Sequence, residues 1–290
     1  LRQRSRFTMI FLKYNGHQRS SYSQSGEVKG EGIGSHGGDH GIEGSGFGVS
    51  WVVRFCCRGT APMSDLSGFL GSLEGCRVLG VNPPVMDFSF FDLWAKPLGL
   101  LFLLGLLRER GNEVYLIDCV RDSAASDKKY GRRVPARREI PKPEAYRQIP
   151  RRFWHYGLDG EGLASRVRSL PRPDLILVTS AMTYWYKGVF WCIEQLRNSL
   201  PGVPVILGGI YPILCPEHAS LSGADEVQTV PLPLPSATPA MDLYGRLTFG
   251  VALSSTGCPR RCTYCASSLL WPEFRQRDLG RLLAEVDLQV

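Results

Sequence analysis

Asp174-Leu175-Ile176-Leu177-Val178-Thr179-Ser180 is the stretch that decides the fold. Its unbroken apolar run leaves no face for water, as in a parallel strand covered on both sides. Similar runs flank it. Upstream stand Val78 to Val81, stopped by Asn82-Pro83-Pro84, and Val114 to Asp118; downstream stand Val203 to Leu207, ending at Gly208-Gly209, and the weaker Glu226 to Val230. Proline cannot donate to a ladder, so Pro83-Pro84 closes the first run. Helical stretches alternate with these runs. Pro97 opens one where proline is tolerated, Gly111 closes it after Arg108-Glu109-Arg110, and Gly188 to Leu200 reads as another. The alternation predicts an α/β fold, a doubly wound parallel sheet with right-handed crossovers.

In such a sheet ligands bind outside the carboxyl ends of the strands. Those ends carry Asn82, Pro83 and Pro84 after the first strand, Ser180, Met182 and Thr183 after the third, and Gly208, Gly209 and Tyr211 after the fourth. Between the second and third strands lies an insertion over 121–160. From Lys128 to Arg152 it holds ten Lys or Arg against Glu139 and Glu144, with Tyr146, Phe153, Trp154 and Tyr156 nearby. A basic, aromatic stretch is able to hold phosphates and stack bases; the preferred reading is a solvated loop packed on the next domain. Cys76, Cys119 and Cys192 sit in or beside apolar segments, as small core residues do.

The length of 290 residues allows about two domains, and 43% hydrophobic residues is ordinary for a protein with a real core. The net charge of +7 is unevenly placed and does not by itself imply nucleic acid. Pro97 to Leu107, the longest apolar run, is about half of a membrane span and reads as a buried helix. No signal-peptide pattern stands in the first residues. Nine cysteines without one are expected in a reducing, cytoplasmic compartment, free of a disulfide framework. Residues 1–62 are rich in Gly and Ser and are expected to be disordered or a non-native extension, with Met63 as a candidate start.

Pro231 to Pro239 predicts a stiff linker over 231–246. Beyond it Leu247 to Thr256 reads as a strand and Phe274 to Val290 as a helix. Between them stands Gly257-Cys258-Pro259-Arg260-Arg261-Cys262-Thr263-Tyr264-Cys265. Three cysteines spaced Cys-x3-Cys-x2-Cys on a tight loop can hold three irons of a 4Fe-4S cubane and leave the fourth open. Gly257, without a Cβ, lets the backbone pass close to such a group. A structural zinc site is the alternative. Zinc closes with four ligands, and the fourth would come from afar, as Cys215 or His218.

This spacing, with the aromatic Tyr264 before the third cysteine, resembles the signature of the radical S-adenosylmethionine (radical SAM) enzymes. The resemblance implies Cys258, Cys262 and Cys265 as ligands of a 4Fe-4S cluster and Tyr264 beside the adenine of S-adenosylmethionine. It further implies one-electron cleavage to a 5′-deoxyadenosyl radical, which abstracts hydrogen from an unreactive carbon. Residues 76–230 resemble the cobalamin-binding domain ahead of the barrel in one branch of that family. Asn82-Pro83-Pro84, Lys96-Pro97-Leu98-Gly99-Leu100, Ser180-Ala181-Met182-Thr183 and Gly208-Gly209 carry this second likeness. It implies cobalamin as a further cofactor, with Asn82, Pro83, Ser180, Thr183, Gly208, Gly209 and Tyr211 around it, and methyl transfer as the reaction.

One departure stands out: the loop after the first strand lacks the Asp-x-His-x-x-Gly motif, offering only Asp87, so histidine ligation of cobalamin is excluded. A flavodoxin-like scaffold without corrinoid is the alternative. Expected partners are a ferredoxin or flavodoxin as reductant and a small-molecule or lipid-like substrate, with neither nucleic acid nor a membrane span. Leu247 to Val290 has room for only the first βα unit of a radical SAM barrel, since a (β/α)8 barrel takes ~250 residues. The expectation is therefore a fragment of a longer enzyme, inactive alone. Two rivals remain open: an RNA methylthiotransferase of the same superfamily, which needs a second cluster, and a non-enzymatic corrinoid- or zinc-binding module.

Overall fold

The computed structural model describes residues 68, 70, 72–91, 95–123, 126–127, 133–232, 237–245, 247 and 249–289. The expectations for residues 1–62 and Met63 lie outside these residues. Five strands form the main sheet: β1 (Arg77–Asn82), β3 (Glu113–Asp118), β8 (Leu175–Val178), β9 (Val205–Leu207) and β10 (Glu226–Val227). All their pairings are parallel, and the order is β3-β1-β8-β9-β10, with Val78 opposite both Val114 and Leu175. Taken in chain order this is 2-1-3-4-5, the flavodoxin-like arrangement, whose direction of winding switches between β1 and β8.

Each strand has two apolar faces because both are covered. On one, Leu79, Val81, Ile117, Ile176, Val178 and Val205 meet helices α2 (Gly160–Arg168) and α3 (Tyr186–Ser199) through Leu163, Val189, Cys192, Ile193 and Leu196. On the other, Val78, Leu116, Leu175, Leu177 and Ile206 meet α1 (Leu98–Glu109) through Leu100, Leu101, Leu104 and Leu107. Each such side chain contributes about 1.5–3 kcal/mol by leaving water. Pro97 stands at the N-cap of α1, and Asp159 caps α2 by accepting from the Gly162 N–H at 2.8 Å.

The second face is completed by a strap that carries one short 3₁₀ turn, Met241–Tyr244. Residues 237–245, the larger described part of the stretch expected as a stiff linker, lie along α1 with Ala237, Ala240 and Met241 buried. The Ala240 N–H donates to the Leu101 carbonyl at 3.0 Å, and Arg108 donates twice to Asp242 at 2.6 and 2.8 Å. The Thr238 carbonyl approaches Gly105 so closely that a Cβ there would lie 1.9 Å from the oxygen. Only glycine in the helix permits this contact.

The basic insertion is structured. Its strands β6 (Arg137–Ile140) and β7 (Phe153–Tyr156) join β2 (Val85–Asp87) in an antiparallel sheet of order β2-β7-β6. Two further short strands, β4 (Ser126–Asp127) and β5 (Arg133–Val134), pair antiparallel. Two short helices, α4 (Ile210–Leu214) and α5 (Pro216–Ala219), follow β9. Cys119 and Cys192 are buried free thiols as expected, whereas the equally buried Cys76 is disulfide-bonded.

The expected first unit of a radical SAM barrel has a different form. Among the described residues of 247–256 only β11 (Ser255–Thr256) is strand, and it pairs antiparallel with β12 (Arg275–Gln276); α6 (Ser267–Leu270) lies between them and α7 (Leu279–Asp287) follows. A barrel strand is held by parallel neighbours. Among the described residues there is no barrel, and the backbone of β11 bonds to the nearest returning chain instead. Arg277 fixes this ribbon to the main domain. It pairs with the buried Glu285, donates to the Leu253 carbonyl at 3.0 Å and lies 4.9 Å over the Phe102 ring of α1. Among the described residues no helix is long and apolar enough to cross a membrane.

Candidate functional site

The cysteine loop starts where β11 ends. Gly257 has φ +70°, and a Cβ there would sit 2.1 Å from the Glu273 carbonyl, so its bare face is used by the chain returning toward β12. The Cys265 N–H donates to the Cys262 carbonyl at 3.1 Å, closing a turn just ahead of α6. Cys258 and Cys262 are half-buried, Cys265 is exposed, and all three are free thiols. The Cys265 thiol lies 3.2 Å from the Ser267 hydroxyl, and the bonds from that hydroxyl and from the Ser267 backbone hold its pKa below the usual thiol value. Tyr264 is 89% exposed.

Among the described residues no three His, Cys, Asp or Glu side chains are grouped to hold a metal ion. The donor set nevertheless suits an iron–sulfur cluster in its chemistry: three soft thiols on one loop, reached by solvent, one of them already more acidic than usual. Binding would require the loop to draw its sulfurs together.

At the carboxyl end of the sheet, Ser180, Gly208 and Gly209 come together. The Gly208 N–H donates to the Val178 carbonyl at 2.8 Å, the Ser180 hydroxyl donates to the Gly208 carbonyl at 3.0 Å, and the Ile210 N–H donates to the Ser180 carbonyl at 2.9 Å. Gly209 has φ +99°, and a Cβ would lie 2.2 Å from the Ser180 oxygen, so the junction of β8 and β9 depends on glycine. Thr183 opens the single turn Thr183–Trp185. Tyr211 is fully buried, its hydroxyl 2.5 Å from Nδ1 of His218, and burial pushes its pKa up to about 12. Its place is in the core, beneath the junction.

Asn82 and Pro83 leave β1 at the same carboxyl edge, where Asn82 is tied to β3. The Asn82 amide donates to Asp118 at 3.0 Å; the same buried carboxylate accepts from the Val120 and Arg121 N–H groups at 3.2 and 3.1 Å and from the Tyr244 hydroxyl at 2.7 Å. Burial first, and the Asp118 charge second, push the Tyr244 phenol far above its usual pKa. The Lys96 ammonium sits 3.6 Å over the Tyr244 ring and 4.6 Å over Phe249, which Arg121 covers at 4.7 Å. Pro83 is buried. Sequence reasoning missed Asp118 and Tyr244. The available signal was a carboxylate closing an otherwise apolar strand.

The carboxyl ends of β8 and β9 and the cysteine loop are neighbours. Helix α4, which follows Gly209, packs against α6, which follows Cys265, and against the Thr183–Trp185 turn. On or beside these three elements the large apolar residues Met182, Tyr184, Leu269 and Trp271 are exposed.

No protein-family model matches the chain, and no curated protein matches it. Among solved structures it is similar to a crystal structure of a novel cobalamin-binding protein from Desulfitobacterium hafniense DCB-2, with 11% sequence identity and a TM-score of 0.30. The match covers 57% of this chain and 58% of that one, so the chain spans somewhat over half the length of the solved protein.

Proposed function

We propose that this chain is the cofactor-binding portion of a radical SAM enzyme, with Cys258, Cys262 and Cys265 as ligands of a 4Fe-4S cluster and a corrinoid at the carboxyl ends of β8 and β9. One observation carries the reading. A Cys-x3-Cys-x2-Cys set of free thiols stands on the loop whose following helix, α6, docks on α4 at the carboxyl end of the sheet. When bound, such a cluster supplies an electron and an open iron for reductive cleavage of S-adenosylmethionine.

The residues of the chain have separable roles. The Cys265 thiolate is favoured by its bonds from Ser267. Arg260 and Arg261, both exposed between two of the ligands, offset the negative charge of a thiolate-bound cluster. Tyr264, almost wholly exposed, presents its ring to an adenine. Ser180, Gly208 and Gly209 form the floor for the corrinoid, while Asn82 is engaged by Asp118 and stays in the framework. The zinc alternative needs a fourth ligand from Cys215 or His218, and of these His218 already holds Nδ1 against Tyr211 and stacks on Phe190 at 5.5 Å. The substrate and the reductant of the complete enzyme follow as proposals from the same reading, a small molecule or lipid and a ferredoxin or flavodoxin.

The test is anaerobic reconstitution with iron and sulfide. The expected product holds roughly four of each per chain, its reduced form gives an EPR signal that shifts on adding S-adenosylmethionine, and Ala at any of the three cysteines abolishes both. Hydroxocobalamin should be retained on gel filtration with a corrinoid absorption spectrum. A colourless protein with one tightly held zinc defeats the proposal.

A further inference from the structure

The insertion carries two cavities with a common wall. One, of about 560 Å³, lies at the mouth of the hairpin loop 141–152 and is lined by Lys142, Arg151, Arg152 and Glu139. The other, of about 500 Å³, runs between this hairpin and α3, where Tyr186, Phe190 and Trp191 line it. Ile140, Pro141 and Phe153 belong to both. Each volume is within the range that holds a small ligand.

The chemistry differs along the pair. The first cavity has three cations against one carboxylate, and that carboxylate, Glu139, is shared with Arg152 at 3.6 Å in an exposed ion pair of little strength. Lys142 closes the loop on the Ile149 carbonyl, so the loop has a fixed shape before any ligand arrives. The second cavity is mainly apolar and aromatic, with Lys187 and Glu194 also on its wall. A ligand matching both has a multiply charged anionic head and a flat apolar body.

We infer that the hairpin loop and the adjoining face of α3 form a site for a nucleoside polyphosphate, with the phosphates on Arg151, Arg152 and Lys142 and the base against Phe190 and Trp191. A polymeric nucleic acid fits less well. Its backbone needs cations spread along a track. Here they surround one cavity. This site is independent of the cysteine loop and stands or falls without it.

The experiment titrates the full chain with ATP, tripolyphosphate, adenosine and a short single-stranded oligodeoxythymidylate, by calorimetry. ATP should bind saturably, at least tenfold tighter than tripolyphosphate and adenosine, and weaken with salt. The double variant R151Q/R152Q should lose at least tenfold in ATP affinity, because charge-assisted bonds to phosphate are removed. Its thermal midpoint should match that of R110Q, which changes an exposed arginine outside both cavities and should bind ATP like the parent. Absence of saturable ATP binding overturns the inference, as does unchanged affinity in the double variant. Tripolyphosphate binding as tightly as ATP removes the aromatic half of the site. An oligonucleotide outcompeting ATP makes the surface one for a polymer and refutes the assignment.

Discussion

His155 shows what a single residue contributes and what it costs. It lies in β7, nearly without exposure, its Nε2 2.7 Å from the Leu158 carbonyl and its ring edge-on to Trp191 at 4.7 Å. Its Nδ1 is buried without a partner, so a proton there would find no acceptor. Burial lowers its pKa from the usual value of about 6.5, with Arg138 acting in the same direction and the Leu158 bond against it. The unfolded chain then binds the proton more readily than the folded one. Stability due to this group is full above the unfolded pKa, falls as pH drops below about 6.5, and levels off beneath the folded pKa. Urea midpoints at pH 7.5 and 5.5 should therefore differ, and His155→Phe should shrink the difference. An equal difference in both proteins would remove His155 as its source. No sequence signal marks this role, since a lone histidine in a basic stretch acquires it only when its strand is buried against Trp191.

At the scale of elements, the strap separates two kinds of contact. The Arg108–Asp242 pair has good geometry, and the Arg108 bond holds the Asp242 carboxyl below the usual carboxylate range. Both partners are substantially exposed, however, so solvent screens them and Arg108→Ala should cost less than about 1 kcal/mol. That small contribution is present above the unfolded carboxylate pKa and is lost as pH falls through the lower folded value. Gly105→Val should cost several times more, about 3 kcal/mol, because its side chain must displace the Thr238 carbonyl from the helix surface. Equal midpoints for these two variants in urea would show that the close approach is not what holds the strap. The regular elements were legible: β1, β3, β8, β9, α1 and α3 follow from apolar runs and their proline and glycine stops. The strap was not, because a proline-rich composition describes how a free chain behaves and is silent about Ala240 and Met241 meeting a helix far away in sequence. The antiparallel partner of β11 was hidden for the same reason, since pairing depends on a returning strand and not on the run itself.

In the molecule as a whole, Tyr244 and Asp118 join the strap to the sheet. The phenol supplies one of four donors to a carboxylate that is almost entirely buried. Tyr244→Phe keeps the ring under Lys96 and removes that donor, so it should cost about 1–3 kcal/mol and lower the thermal midpoint. An unchanged midpoint would mean that water replaces the phenol at Asp118. The candidate site was legible in part: the sequence located the cysteine trio and the Ser180 and Gly208-Gly209 loops. It did not reveal that Asn82 is held by Asp118 or that Tyr211 is core, because both follow from which loops the tertiary fold closes.

The buried course of residues 237–245 also bears on how this protein would respond to a protease. A single cut after the exposed Val230 would sever the chain yet leave the downstream piece clamped to α1 by Ala240, Met241 and Arg277. Two bands on a denaturing gel should then elute together as one particle on a sizing column, a nicked pair that parts only when the whole unfolds.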